Sequence, residues 1–163
     1  MIDDVRRLIV RELEAFAREI ELFPDDETVW RTVPGVANSA GNLALHACGN
    51  LKHFIGAVLG DTGYERNREA EFATRAGSRE ELVREIRWTR DVVEAVLPRV
   101  PASALAAAYP ERVGGLEVPC GRFLLHLAVH LSFHLGQAGY LRRFVTGDAR
   151  SSGPLALAAL ADR

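Results

Sequence analysis

Five histidines, His46, His53, His126, His130 and His134, are the residues of this 163-residue chain whose type and spacing could do chemistry. The last three recur every four residues in the otherwise apolar run GRFLLHLAVHLSFHLGQ. On an α-helix, histidines four apart project from one face a turn apart, so an adjacent pair can reach one ion. Neutral imidazole is a borderline-soft donor that suits Zn, Ni, Fe or Mn, and pairs at this spacing are good zinc or nickel ligands. His126 and His134 cannot share an ion, because a rise of ~1.5 Å per residue sets them about 12 Å apart. One adjacent pair must therefore recruit a ligand from another helix.

The second candidate helix carries His46 and His53. If it runs antiparallel to the histidine-rich helix, His46 faces the level of His130 and His134. His53, roughly 10 Å further along at the same rise, then faces His126. The preferred site is His46, His130 and His134; the alternative is His53, His126 and His130. Taken singly, His53 or His126 reads as an ordinary satisfied core or surface histidine. Several rings on one buried face are harder to explain that way, since each unpartnered polar group costs on the order of 1–3 kcal/mol, and a shared ion would satisfy them.

Helices must position these rings, and the periodicity supplies four. Val5, Leu8, Ile9, Leu13, Phe16 and Ile20 form one stripe from about Ile2 to Phe23, ended by Pro24 and two aspartates. After a connector with two prolines, Asn38 or Ser39 caps a second helix running to about Leu59. The link GDTGYERNREAEFATRAG is polar and long for a compact bundle, so it is functional or crosses over a bundle end. Ser78 and Glu81 form a capping box opening a third helix to about Leu97. A short turn and a hairpin around Gly114-Gly115 follow. Pro119 then opens a fourth helix to about Phe144, with Gly147 beyond it. The tail PLALAALADR predicts a last short helix. The expected architecture is a single all-α domain over 1–163, a four-helix bundle with a long crossover between the second and third helices.

Composition narrows the function classes. Hydrophobic residues make up 48% and charged residues 26%, which excludes disorder. Twenty basic against 22 acidic side chains give a net charge of -2, with no electrostatic footprint for nucleic acid or anionic membrane. No apolar run reaches the ~18 residues of a membrane span, and the start MIDDVRR lacks a signal-peptide layout. Two distant cysteines, Cys48 and Cys120, read as reduced thiols of a cytoplasmic protein.

Three strings add a resemblance. HLSFHLGQAGYLRR resembles the H-x-x-x-H-x-G-Q signature of the DinB-like (DinB/YfiT-like) superfamily of metalloenzymes. WRTVPGVANSAGNLALHACGN looks like that superfamily's approach to its second helix, and RNREAEF is similar to a string in one of its branches. The resemblance implies a four-helix bundle with a long second-to-third connection. It also implies His46, His130 and His134 as ligands of a divalent ion, often zinc or nickel, with water in the open positions. Members are commonly homodimers, and relatives include thiol-dependent S-transferases and a mycothiol-dependent isomerase. His53 and His126 exceed the three-ligand pattern; with Gln137, three residues after His134, they are candidates to orient a ligand ring or a bound water from outside. No glutamate follows the histidines as in zinc proteases, so no catalytic base is assigned.

The remaining residues have plainer readings. Gly136 and Gly139 imply close helix approach. Cys48 is core, and Trp30 and Trp88 are core or interface anchors. Arg66, Arg68, Glu69 and Glu71 form a charge network ordering the crossover, with a lid over the metal as the sharper alternative. Arg142 and Arg143 suit the C-terminal dipole of their helix. The expected function is a divalent-metal-dependent enzyme acting on a small molecule, by resemblance a low-molecular-weight-thiol S-transferase. The alternatives are a metal-dependent hydrolase and a non-catalytic, stress-related metal-binding bundle.

Overall fold

The apolar stripe of the first segment becomes one wall of the core. In the computed structural model, which describes residues 1–154 and 156–161, α1 spans Ile2–Glu21 and buries Val5, Ile9, Leu13, Phe16 and Ile20. Leu8 is only half-buried. Helix α2 is Ala40–Leu51, opened by a reciprocal capping box between Ser39 and Asn42. It continues without a break through a π-helical turn, Lys52–Ala57, into Val58–Gly60. The expected second box, Ser78 with Glu81, opens α4 (Arg79–Val96), and α5 (Cys120–Thr146) ends on Gly147 at φ +70°.

The polar link between α2 and α4 holds a helix of its own. This is α3, Arg68–Ala73, capped by Asn67 and packed on α2. Six residues are too few to register as an amphipathic period, which is why the link read as irregular. The long helices alternate around the core: α1 and α2 each pack on both α4 and α5 and barely meet one another. That arrangement puts α2 beside α5, as a shared histidine site requires. The hairpin also forms, with Val113 and Leu116 exchanging backbone hydrogen bonds across Gly114 and Gly115, both at positive φ. Of the expected tail helix, Leu157–Leu160 forms a 3-10 turn, and residues 155, 162 and 163 lie outside the described residues.

Arg142 has a different job from dipole complementation. It is fully buried; its Nε donates to Glu19 of α1, and its Nη atoms donate to the backbone oxygens of Asp148 (3.0 Å) and Arg150. It thereby ties α5, α1 and the chain after α5 into one knot. At Gly139 a Cβ would make ordinary contact with the Glu19 carboxyl carbon at 3.6 Å and would crowd only the flexible Arg143 side chain, 3.0 Å away. Gly136 has no such neighbours: its Cβ would meet nothing within 4 Å. Removing Glu19 takes away the Nε acceptor of a buried guanidinium and leaves Asp148, 3.6 Å from Nη1, as its remaining carboxylate. Glu19→Ala should therefore cost about 3 kcal/mol or more in urea unfolding, and Glu19→Gln less, because an amide oxygen can still accept. An unchanged midpoint for Glu19→Ala would contradict this account.

Candidate metal centre

The site is built from one ring of α2 and two of α5. His46 lies in the second turn of α2, whose start is fixed by the Ser39 cap, and His130 and His134 are a turn apart in mid-α5. The Nε2 atoms of His46 and His134 lie 3.3 and 3.1 Å from Nε2 of His130. Three donor atoms, one from each ring, all fall within 4.8 Å of one another. His46 is buried, and the α5 pair is half-buried.

The outer nitrogens decide what the inner ones can be. Nδ1 of His46 faces Oε2 of Glu71 at 2.9 Å. Burial alone would raise the Glu71 carboxyl, but hydrogen bonds from Arg66 and His46 outweigh it and hold the group below its usual range. A charged carboxylate at that distance requires a proton on Nδ1, which leaves a lone pair on Nε2 of His46. Nδ1 of His134 likewise faces the amide oxygen of Gln137 at 2.8 Å, and its Nε2 is a lone pair too. Both point at His130. Burial, then the neighbouring histidines and Arg66, push the His130 pKa down to about 4, so at neutral pH this ring is uncharged. One proton on His130 could satisfy one neighbour only. The three nitrogens could hold a divalent cation, and the two separations to His130 have the dimensions for one. Bonds of about 2.0–2.1 Å set ligand nitrogens about 3.3 Å apart in a tetrahedron and about 3.0 Å apart at right angles.

The Glu71 carboxylate is itself tightly held. Nε and Nη2 of Arg66 grip its two oxygens at 2.7 and 2.8 Å. The backbone around it is docked by Asn42, whose Nδ2 donates to the carbonyls of Glu71 (3.0 Å) and Thr74 (2.8 Å). Gly49, one turn beyond His46, leaves the space: a Cβ there would stand 2.1 Å from Oε1 of Glu71. Phe72 packs on the His46 ring, with centroids 4.7 Å apart. Trp30 adds a further tie, donating from its indole to Gly77 O at 2.8 Å while lying against Gly41.

Of the residues singled out in the sequence, His46, His130, His134 and Gln137 come together. His53 instead sits in the π-helical turn, with Nε2 3.1 Å from Oε1 of Glu111. His126 is exposed, stacked on Phe123 with its ring 6.0 Å from that of His130. Trp88 is half exposed and lies, with Tyr64, over the Lys52 ammonium. Burial pushes the Cys48 thiol up to about 12 and raises Cys120, so neither is poised as a nucleophile. Glu71, expected in a charge network that orders the crossover, does pair with Arg66, but its contact with His46 was not foreseen. Its signal was the RNREAEF string itself, where one glutamate of a short helix must face inward. Asn50, one turn beyond His46 on α2, keeps a buried side-chain oxygen without a protein partner.

Residues 8–138 match the family model described as the DinB superfamily, a span that holds α1 to α4 almost whole, all three histidines, Glu71 and Gln137. Among curated proteins, none matches the chain.

The packing of Gly49 against Glu71 makes a specific prediction. Gly49→Ala should push the carboxylate off His46 and weaken zinc or nickel binding roughly 10–100-fold, as Glu71→Gln should. The double variant should bind no worse than the weaker single one, because both act through the same hydrogen bond. Titration of tag-free protein against a chromophoric chelator reads all three. Wild-type affinity in Gly49→Ala would refute the link.

Proposed function

The chain belongs to the DinB superfamily, and from that premise we propose that it is a divalent-metal-dependent enzyme acting on a small molecule, with His46, His130 and His134 as the ligands. The observation that carries this reading is the convergence of three Nε2 atoms, two of them 3.3 and 3.1 Å from the third, each flanking ring facing its own acceptor through Nδ1. Zinc or nickel suits three imidazoles. Among the described residues the donor cluster has three members, which leaves coordination positions for a reactant and favours catalysis over a closed structural site.

A divalent ion held there supplies Lewis acidity, lowering the pKa of a thiol or water that joins it. The protein's part is orientation. Glu71 and Gln137 keep the His46 and His134 rings in the tautomer that turns Nε2 inward, and Arg66 keeps Glu71 ionised. Glu71 is poorly suited to act as a general base, because both its oxygens are engaged by Arg66 and His46. That favours a nucleophile acidic enough to lose its proton to solvent. A thiol, with an ordinary pKa near about 8.5, meets the condition far better than water. Transfer of a low-molecular-weight thiol to an electrophilic small molecule is therefore the reaction we propose, ahead of hydrolysis.

The same reading includes a homodimer and a cytoplasmic location. Leu125, Val129 and Phe133 of α5 are 45%, 68% and 60% exposed and offer a second copy an apolar surface. The two cysteines are free and buried, as a reducing compartment allows. No helix among the described residues is long and apolar enough to cross a membrane.

The test combines metal analysis with a conjugation assay. Tag-free protein should take up about one equivalent of zinc or nickel per chain. Loaded protein should speed the loss of a small thiol in the presence of an aromatic electrophile, and His130→Ala should lose both the ion and the rate. Failure to retain any divalent ion would sink the proposal.

A further inference from the structure

A groove of about 470 Å³ opens at His134, the one histidine of the triad that lines it, between the connector that precedes α2 and the C-terminal half of α5. That volume is in the range of small-molecule sites. Its polar end is His134 with Gln137, the hydrogen-bonded pair already described. Its walls are apolar: Val33, Val36 and Leu43 on one side, Tyr140 and Phe144 on the other. Tyr140 and Phe144 are 70% and 73% exposed, so both rings offer open area to whatever enters. None of the residues lining the groove carries a full charge.

One wall is stiff by construction. Val33-Pro34-Gly35-Val36 closes a turn through a hydrogen bond from Val36 N to Val33 O at 3.0 Å, with Gly35 at φ +82°. Proline followed by a glycine at positive φ is the requirement of a type II turn. The two valines are thus held in place before any ligand arrives, and little ordering is left for binding to impose.

We infer that this groove seats an uncharged, aromatic substrate whose reactive end meets the triad at His134 and whose ring lies against Tyr140 and Phe144. The inference rests on the reading of the triad as a metal centre and narrows it to a substrate class. A carboxylate or phosphate in the groove would lose water against valine and leucine and find no cation in return. A flat neutral ring gains contact on both walls, with ring-to-ring packing on Tyr140 and Phe144. The ordinary way to hold an anionic body, an arginine or lysine on the rim, is missing from the lining.

The experiment uses four probes on the full-length protein. Acetohydroxamate reads the ion alone, and 3-phenylpropionohydroxamate adds the ring. Its para-carboxylated twin adds a charge, and 3-phenylpropionamide keeps the ring without the chelating head. On zinc-loaded protein the phenyl hydroxamate should bind roughly ten-fold or more tighter than acetohydroxamate or the carboxylated twin, as burial of one ring predicts. The double variant Tyr140→Ala/Phe144→Ala should erase that preference while keeping its zinc and its acetohydroxamate affinity. Val36→Lys should turn the preference toward the carboxylated twin. Equal affinities in the wild type, or a preference that survives in the double variant, would overturn the inference. If the protein takes up no zinc, the metal reading fails by itself. The amide then decides for the groove: saturable binding by ligand-observed NMR that vanishes in the double variant sustains it, and no binding overturns it.

Discussion

The hydrogen bond between Glu71 and His46 is the constraint on which the rest of the site depends. A buried carboxylate is expensive unless paired and fully hydrogen-bonded. Here one glutamate takes two donors from Arg66 and one from His46. Because it is ionised, it fixes the proton on Nδ1 of His46. Because that proton is fixed, the opposite nitrogen is a donor atom directed at α5. Every neighbouring feature preserves this geometry. Gly49 vacates the volume that the carboxylate fills, and Asn42 holds the C-terminal end of α3 by the carbonyls of Glu71 and Thr74. Ser39 fixes the first turn from which His46 is measured. A short helix in a surface connection thus sets the chemistry of a ring in the bundle.

Two of the buried charge clusters divide the labour. Arg142 with Glu19 closes the packing of α5 on α1 and pins the chain that follows. Its donors end on backbone carbonyls as well as a carboxylate, so it specifies where the chain returns. Arg66 with Glu71 instead faces a functional ring. Neither cluster is best understood as a source of net stability, since buried ion pairs often lose to apolar packing of equal volume. Their common effect is to make one arrangement of helices much better satisfied than its neighbours. The π-helical turn after α2 has a related role. It widens the helix at His53 and Phe54, and the Tyr109 hydroxyl donates to the Phe54 carbonyl.

How much of this was legible in the sequence follows the range of each signal. The His130–His134 spacing is local, and two helical turns of rise were enough to select His46 as the third ring. The N-cap at Ser39, one of two residues offered for it, the capping box at Ser78, the stop at Gly147 and the Gly114-Gly115 hairpin are also local, and all are found where expected. The position of His53 was less legible, because a strict 3.6-residue period does not survive a π-helical turn. The contact of Glu71 with His46 was missed for a different reason. The two residues are 25 positions apart, and a six-residue helix is too short to reveal which face turns inward. Gly136 and Gly139 looked alike as glycines of one helix, yet only the second has neighbours within 4 Å of where a Cβ would lie.

The electrostatics of the site also bear on which reactants it can tolerate. Arg66 and Glu71 cancel one another, and the three rings are neutral when their lone pairs face inward. Filled by a divalent ion, such a site would carry an uncompensated double positive charge at the end of an uncharged groove. An anion formed on binding would be stabilised there, whereas a charge brought in along Val36 and Leu43 would first have to shed its water. On the proposed function, such a site would favour reactants that arrive neutral and become charged only at the ion. A thiol that ionises there meets this condition, as does an uncharged electrophile beside it. The scarcity of charged side chains in the lining is therefore consistent with the histidine cluster: placing the charge in one ion keeps the remainder of the pocket free to select by shape and apolar contact.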